Sequence, residues 1–114
     1  MGKIRYEHRH LVVACTLEAA EAGERAAEWR RLRETYGLGA EPLPGGVRLW
    51  LRPDAQPAAD DLARREGACC GFLDLEVALE DERLHLDVTS QAPDARPVIA
   101  CITGLEPDCV LPCC

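Results

Sequence analysis

Apolar residues recur with a period of two in four stretches of the chain. In 10–17 (HLVVACTL) Leu11, Val13, Cys15 and Leu17 share one face, and Val12 and Ala14 on the other face predict a central strand. In 47–52 (VRLWLR) Val47, Leu49 and Leu51 alternate with Arg48, Trp50 and Arg52. In 73–80 and 83–89 the inward sets are Leu73, Leu75, Val77, Leu79 and Leu84, Leu86, Val88. Asp81-Glu82 joins these two as a tight hairpin, without the favoured glycine. Asp74, Glu76, Glu80, His85, Asp87 and Thr89 then lie on the opposite face.

Between the strands the spacing becomes helical. Residues 18–37 place Ala19, Ala22, Ala26, Trp29, Leu32 and Tyr36 along one stripe, with acids at the start and Arg30, Arg31 and Arg33 at the end. Gly37-Leu38-Gly39 ends this helix, and 40–46 (AEPLPGG) reads as a loop. Residues 57–70 form a second helix with Pro57 in its first turn and Gly71 as its cap. Residues 93–104 form a third, opened by Pro93-Asp94 and ended by Gly104. The order βαβαββα predicts an α+β two-layer sandwich. Its four-stranded sheet carries helices on one face, as a variant of the ferredoxin-like arrangement.

The chain has 114 residues. Such a length buries roughly 65% of its unfolded surface and needs no disulfide or metal to fold. One domain over 1–105 followed by a tail, 106–114, is expected. A composition 47% apolar and 29% charged is that of a globular protein, and a net charge of −7 disfavours a phosphate backbone as partner. No apolar run is long enough to span a bilayer, and MGKIRYEHRH carries charges where a signal peptide needs apolar residues. A cytoplasmic protein without nucleic-acid or membrane partners is the expectation.

Seven cysteines change the picture. In a reducing compartment they are expected as thiols rather than as a disulfide framework. A single one such as Cys101 is most simply a small core residue. Cys69-Cys70 and Cys113-Cys114 are adjacent pairs, and neighbouring side chains point in different directions. At least one thiol of each pair should therefore leave the core face, where an exposed thiol is a liability unless used. Cys69 falls seven residues after Leu62 and points toward the sheet; Cys70 shares the face of Glu66 and points toward the core's edge. Cys15, on the inner face of the first strand, is expected within bridging distance of the pair. Thiolates converging from strand and helix make a site for a soft metal.

A helix C-terminus raises a thiol's pKa rather than lowering it, which favours coordination over nucleophilic catalysis at Cys69 and Cys70. Arg64 and Arg65 are candidates to compensate. Cys109, Cys113 and Cys114 add a second cluster on the tail, able to wrap an ion or cap the first site. Neither a zinc-ribbon nor a redox Cys-x2-Cys spacing occurs. His8, His10 and His85 are further candidate ligands, with His85 expected to be solvent-exposed on the polar face. Sulfur coordination suggests Cu(I), Hg(II) or As(III) at least as much as Zn(II).

The segment LARREGACCGFLDLEVAL…LHLDVT, preceded by LPGGVRLWLR, resembles a group of small bacterial proteins with a Glu-Cys-Cys-x-Phe-like signature before a hairpin. Some members are associated with regulators of thiophilic metals of the mercury type, and most are uncharacterised. The resemblance spans 10–104, and its distinctive part is Cys-Cys-x-Phe. Here Ala68 precedes the pair and the acid stands at Glu66. The resemblance implies thiophilic-metal handling. The copper-chaperone motif Met-x-Cys-x2-Cys is not present.

Three functions compete. The first is a binding protein for a soft metal ion or small organometal, in resistance or transfer, through Cys15, Cys69, Cys70, Cys109, Cys113 and Cys114. The second resembles organomercurial lyases: cleavage of a carbon–mercury bond by Cys70 with Cys15 or Cys69, and Asp74 or Glu66 as proton donor. The third is a non-metal module that dimerises or binds a regulator through the face around Trp50.

Overall fold

The computed structural model describes residues 3–7 and 19–105, and the side chains of 23–105. Its elements are β1 (Lys3–Glu7), α1 (Ala19–Tyr36), β2 (Gly37–Leu43), β3 (Gly46–Leu51), α2 (Gln56–Cys69), β4 (Asp74–Glu80), β5 (Arg83–Thr89) and α3 (Arg96–Thr103). A 3-10 turn at Pro53–Ala55 leads into α2. The architecture is α+β, with an antiparallel sheet ordered β1-β4-β5-β3-β2.

The period-two stretches build the centre of this sheet. Leu49, Leu86 and Val77 stand in one row across β3, β5 and β4; Val47, Val88 and Leu75 form the next. These side chains are buried in a single cluster with Trp29 and Leu32 of α1, Leu62 of α2, and Val98, Ile99 and Ile102 of α3. The helices therefore cover the face that the alternation marks as apolar. Truncating one fully buried member, such as Leu86 to Ala, costs about 2–5 kcal/mol. Asp81 and Glu82 make the β4–β5 turn with φ of 51° and 63°, the left-handed pair that a two-residue hairpin demands.

Several expectations are corrected. The sheet has five strands among the described residues, not four, and the element order is βαββαββα rather than βαβαββα. The expected strand 10–17 lies outside the described residues, and β1 at Lys3–Glu7 was not foreseen. The segment read as helix end and loop is strand β2. It is an edge strand, almost wholly exposed, so it shows no apolar alternation, and Pro42 is tolerated there because edge positions need not donate. Pro44 and Gly45 turn the chain into β3, with Gly45 at φ 77°.

Gly71 does not act as a left-handed cap. Cys70 is the C-cap of α2, with φ −120° and ψ 78°, and its N–H donates to Glu66 O at 2.8 Å. Gly104 does close α3 in the left-handed conformation, φ 84°. There the Arg33 guanidinium donates to the last-turn carbonyls of Cys101 and Ile102, at 3.2 and 2.6 Å. A Cβ on residue 104 would fall 2.5 Å from Arg33 Nε and push that side chain aside, and the left-handed backbone strains any residue but glycine. No helix among the described residues is long and apolar enough to cross a membrane.

Candidate metal centre

The buried face of α2 runs Ala59, Leu62, Ala63, Glu66, Cys69. This is an apolar stripe at helical spacing with a carboxylate in it. Glu66 has no solvent exposure, and neither has Cys70. Cys69 is also buried, so both sulfurs lie within the core. The expectation that one of them leaves the core face fails because the helix ends between them. Cys70 has left helical geometry, and its side chain turns inward beside Cys69 instead of following the helix round. Cys70 is the deeper of the two, the reverse of the expected orientation. Ser90 secures the segment beyond the pair: its hydroxyl donates to Phe72 O at 2.6 Å and accepts from Ala92 N–H at 3.0 Å.

Glu66 Oε1 accepts the Trp29 indole N–H at 2.5 Å. Its Oε2 lies 3.4 Å from Cys69 Sγ, 3.2 Å from Cys70 Sγ and 3.5 Å from Arg25 Nη1. The two sulfurs are 3.7 Å apart, and Arg25 Nη1 is 3.6 Å from Cys69 Sγ. One oxygen and two sulfurs thus converge within 4.8 Å of one another. Burial raises the Glu66 carboxyl pKa, against the opposing pull of Trp29 and Arg25. Burial, then the Glu66 charge, pushes the Cys69 thiol up to about 11. That agrees with a helix end that does not activate a nucleophile.

Cys69 carries a thiol, whereas Cys70 and Cys101 are in disulfide form. The expectation of thiols throughout therefore holds at Cys69 and fails at these two. Cys101 is nonetheless a buried core residue of α3, as expected. While Cys70 is oxidised its contact with Glu66 carries no hydrogen. Reduction turns it into an S–H facing a carboxyl oxygen.

The structure brings together Glu66, Cys69 and Cys70. Cys15, Cys109, Cys113, Cys114, His8 and His10 lie outside the described residues. His85 is buried rather than solvent-exposed. It is on the far face of the sheet, with Nδ1 3.2 Å from Asp87 Oδ1 and its ring edge-on to Trp50 at 5.3 Å. Trp50 is half-buried: its indole donates to Glu41 at 2.9 Å, and the Arg83 guanidinium stacks 4.0 Å from the ring centre. Asp74 begins β4 and is outside the three-residue cluster. Arg64 and Arg65 do not compensate the thiols; they pair with Asp61 and, for Arg65, Glu28. That role falls to Arg25, which the sequence reading missed. The available signal was the four-residue step from Arg25 to Trp29, which puts both on one helix face.

Comparison with known proteins finds no matching family model, no matching curated protein and no matching solved structure.

Proposed function

We propose that the protein binds a soft metal ion or small organometal through Cys69 and Cys70, with Glu66 as the third donor. The observation that carries this reading is the convergence of three ligand atoms within 4.8 Å of one another on three buried side chains. Burying a carboxylate among apolar side chains is costly unless it is used or paired, and packing alone would favour leucine at this point of the stripe. Thiolate donors select soft or borderline ions: Hg(II), Cu(I), As(III) or Zn(II). Coordination removes the thiol proton outright, which overcomes the raised Cys69 pKa.

Binding requires Cys70 to be reduced. Cys15 and the tail cysteines are proposed as auxiliary ligands only, and resistance or transfer as the role. The test uses the full chain, reduced and anaerobic, titrated with Hg(II) and Cu(I) against a competing thiol. A Cys69→Ser, Cys70→Ser double variant should lose at least tenfold in affinity, as should the oxidised wild type. Unchanged affinity in the double variant overturns the assignment, and loss only in a chain truncated after Leu105 moves the site to Cys109, Cys113 and Cys114.

One observation favours a second reading, cleavage of a carbon–mercury bond. Glu66 Oε2 faces both sulfurs at 3.2 and 3.4 Å. With an organomercury cation held by two thiolates, a Glu66 carboxylic acid would deliver its proton to the carbon. The carbon–mercury bond pair becomes the new C–H bond, the hydrocarbon leaves, and Hg(II) stays on the sulfurs. Release of hydrocarbon from an organomercurial tests it; stoichiometric binding without release excludes it.

A further inference from the structure

The unequal redox states of Cys69 and Cys70 point to a second chemistry at this place, one that needs no metal. We propose that Cys69 resolves the Cys70 disulfide by intramolecular thiol–disulfide exchange. Its sulfur attacks Cys70 Sγ, a Cys69–Cys70 bond forms, and the sulfur that Cys70 held is released. A dithiol reductant then takes the bond over from Cys69.

Position and access carry the proposal. Cys69 is a thiol, Cys70 is in disulfide form, and their sulfurs are 3.7 Å apart. That is close to the separation of about 3–3.5 Å from which reacting atoms start. The two sulfurs differ in access. Cys70 has no solvent exposure, whereas Cys69 keeps 9%. A reductant in solvent therefore meets Cys69 first, and without Cys69 it reaches Cys70 Sγ only when the core opens.

The Cys69 proton passes to the Glu66 carboxylate, whose Oε2 is 3.4 Å from the sulfur, and the Arg25 guanidinium 3.6 Å away steadies the thiolate. The thiolate bonds to Cys70 Sγ as the old disulfide breaks. The electron pair of the broken bond leaves with the departing sulfur, which is protonated from solvent. One thiol and one disulfide enter this step and one of each leaves it, so it consumes no oxidant or reductant. The dithiol, giving a proton to solvent, next attacks Cys69 Sγ. Cys70 departs as a thiolate and takes the proton back from Glu66 Oε2, 3.2 Å away. The second thiol of the reductant then displaces Cys69, which receives its proton, and the reductant closes to a cyclic disulfide. Two electrons have passed to the protein, and Cys69 and Cys70 are both thiols.

Two effects oppose the exchange, and neither prevents it. Burial, then the Glu66 charge, raises the Cys69 thiol to about 11, which lowers its thiolate fraction about a hundredfold. Well-oriented neighbours react as if at about 10⁵ M or more, and a thiolate of higher pKa is the stronger nucleophile, so proximity outweighs that loss. The second effect is strain. Cα atoms of consecutive residues are about 3.8 Å apart, below the about 4.4–6.8 Å of ordinary disulfides. The Cys69–Cys70 bond is therefore easily reduced, which suits a carrier that hands the bond on.

The test uses the full, oxidised, metal-free chain and tryptic mapping. Cleavage after Arg65 and Arg83 releases 66–83, whose only cysteines are Cys69 and Cys70. In iodoacetamide without reductant, alkylation of the released thiol traps the exchanged form. Peptide 66–83 should then pass from a form linked to a second peptide to one that is unlinked and carries no alkyl group. In dithiothreitol, Cys69→Ser should slow the unlinking of 66–83 at least tenfold. A damaged fold would do the opposite, since opening the core exposes Cys70 Sγ. A wild-type peptide that stays linked in iodoacetamide overturns the proposal, and this arm decides the matter even if Cys69→Ser does not fold. Unlinking at the wild-type rate in Cys69→Ser overturns it equally. With no metal present, either failure leaves the metal reading standing, and a failed Hg(II) and Cu(I) titration leaves the exchange standing.

Discussion

Trp29 and Trp50 each donate an indole N–H to a glutamate, to Glu66 at 2.5 Å and to Glu41 at 2.9 Å. The covalent parts are the same and the surroundings are not. The first pair is wholly inside the core, with Arg25 as the nearest charge. The second is on the far face of the sheet, where Glu41 is exposed and stands opposite Arg48 in register. Water can replace any partner lost from the second pair. Nothing can do so in the first without opening the core, so the same hydrogen bond is optional in one place and obligatory in the other. A buried carboxylate with two donors and two sulfurs around it is therefore a commitment of the fold, and the natural place to look for chemistry.

The largest expected effect comes from removing the buried acid. Glu66→Leu leaves Arg25 and the Trp29 N–H without their acceptor and should lower stability by about 3–5 kcal/mol. Asp87→Leu, on the far face, removes a two-point ion pair with the half-exposed Arg48 and the contact to His85. It should cost only about 1–2 kcal/mol, since Arg48 turns to solvent. Urea denaturation under reducing conditions measures both. Equal losses would show that the buried cluster is no more committed than the far-face one.

The far-face cluster was the more legible of the two in sequence. Strict alternation in 47–52 and 83–89 assigned Arg48, Trp50, His85 and Asp87 to one face, and that assignment holds. What alternation does not convey is that neighbours on a polar face can bury one another, which is how His85 came to be enclosed. In the site, helical spacing placed Cys70 with Glu66 correctly. It failed at Cys69 and Cys70 as a pair because it assumes that the helix continues past both. Arg25 escaped notice because a charged residue one turn before a core tryptophan reads as solvated until another helix supplies the carboxylate. β2 escaped because an exposed edge strand has no buried face to impose a period on its residues.

A next step down in size is Trp29→Phe. It keeps most of the ring and deletes only the N–H, leaving Glu66 Oε1 short of a donor in the core; the expected cost is about 1–3 kcal/mol. The same variant should raise the Glu66 carboxyl pKa further, because the hydrogen bond from Trp29 opposes the effect of burial. NMR titration of a side-chain carboxyl label would follow it, and a pKa that falls would show that the indole does not stabilise the charged form.

Alkaline pH gives a smaller effect at the same site. The Cys69 thiol is raised from 9.0 to about 11, so folding favours its protonated form. That contribution is fully present below pH 9 and is lost as pH rises toward 11. Allowing for screening by nearby solvent, it amounts to about 1–2 kcal/mol. Glu66 acts in the same sense in the acid range, its contribution lost as pH climbs from 4.5 through its raised value. In Cys69→Ala the alkaline decline should flatten. The Cys69 thiol should also alkylate about a hundredfold more slowly at neutral pH than an ordinary one, from the thiolate fraction alone. A steep decline retained in Cys69→Ala would assign the titration elsewhere.

The smallest effect should be Trp50→Phe. The Glu41 oxygen that loses its donor is exposed and hydrates at once. The remaining ring still packs edge-on to His85 and still offers Arg83 a face, although a weaker one than an indole. Loss of the hydrogen bond should therefore change stability by no more than about 0.5 kcal/mol. Measured beside Trp29→Phe, the pair isolates burial as the variable, because the atoms deleted are the same. If Trp50→Phe instead costs as much as Trp29→Phe, the far face is not behaving as a solvated surface. Sedimentation equilibrium of the wild type would then decide whether a second copy of the chain covers it.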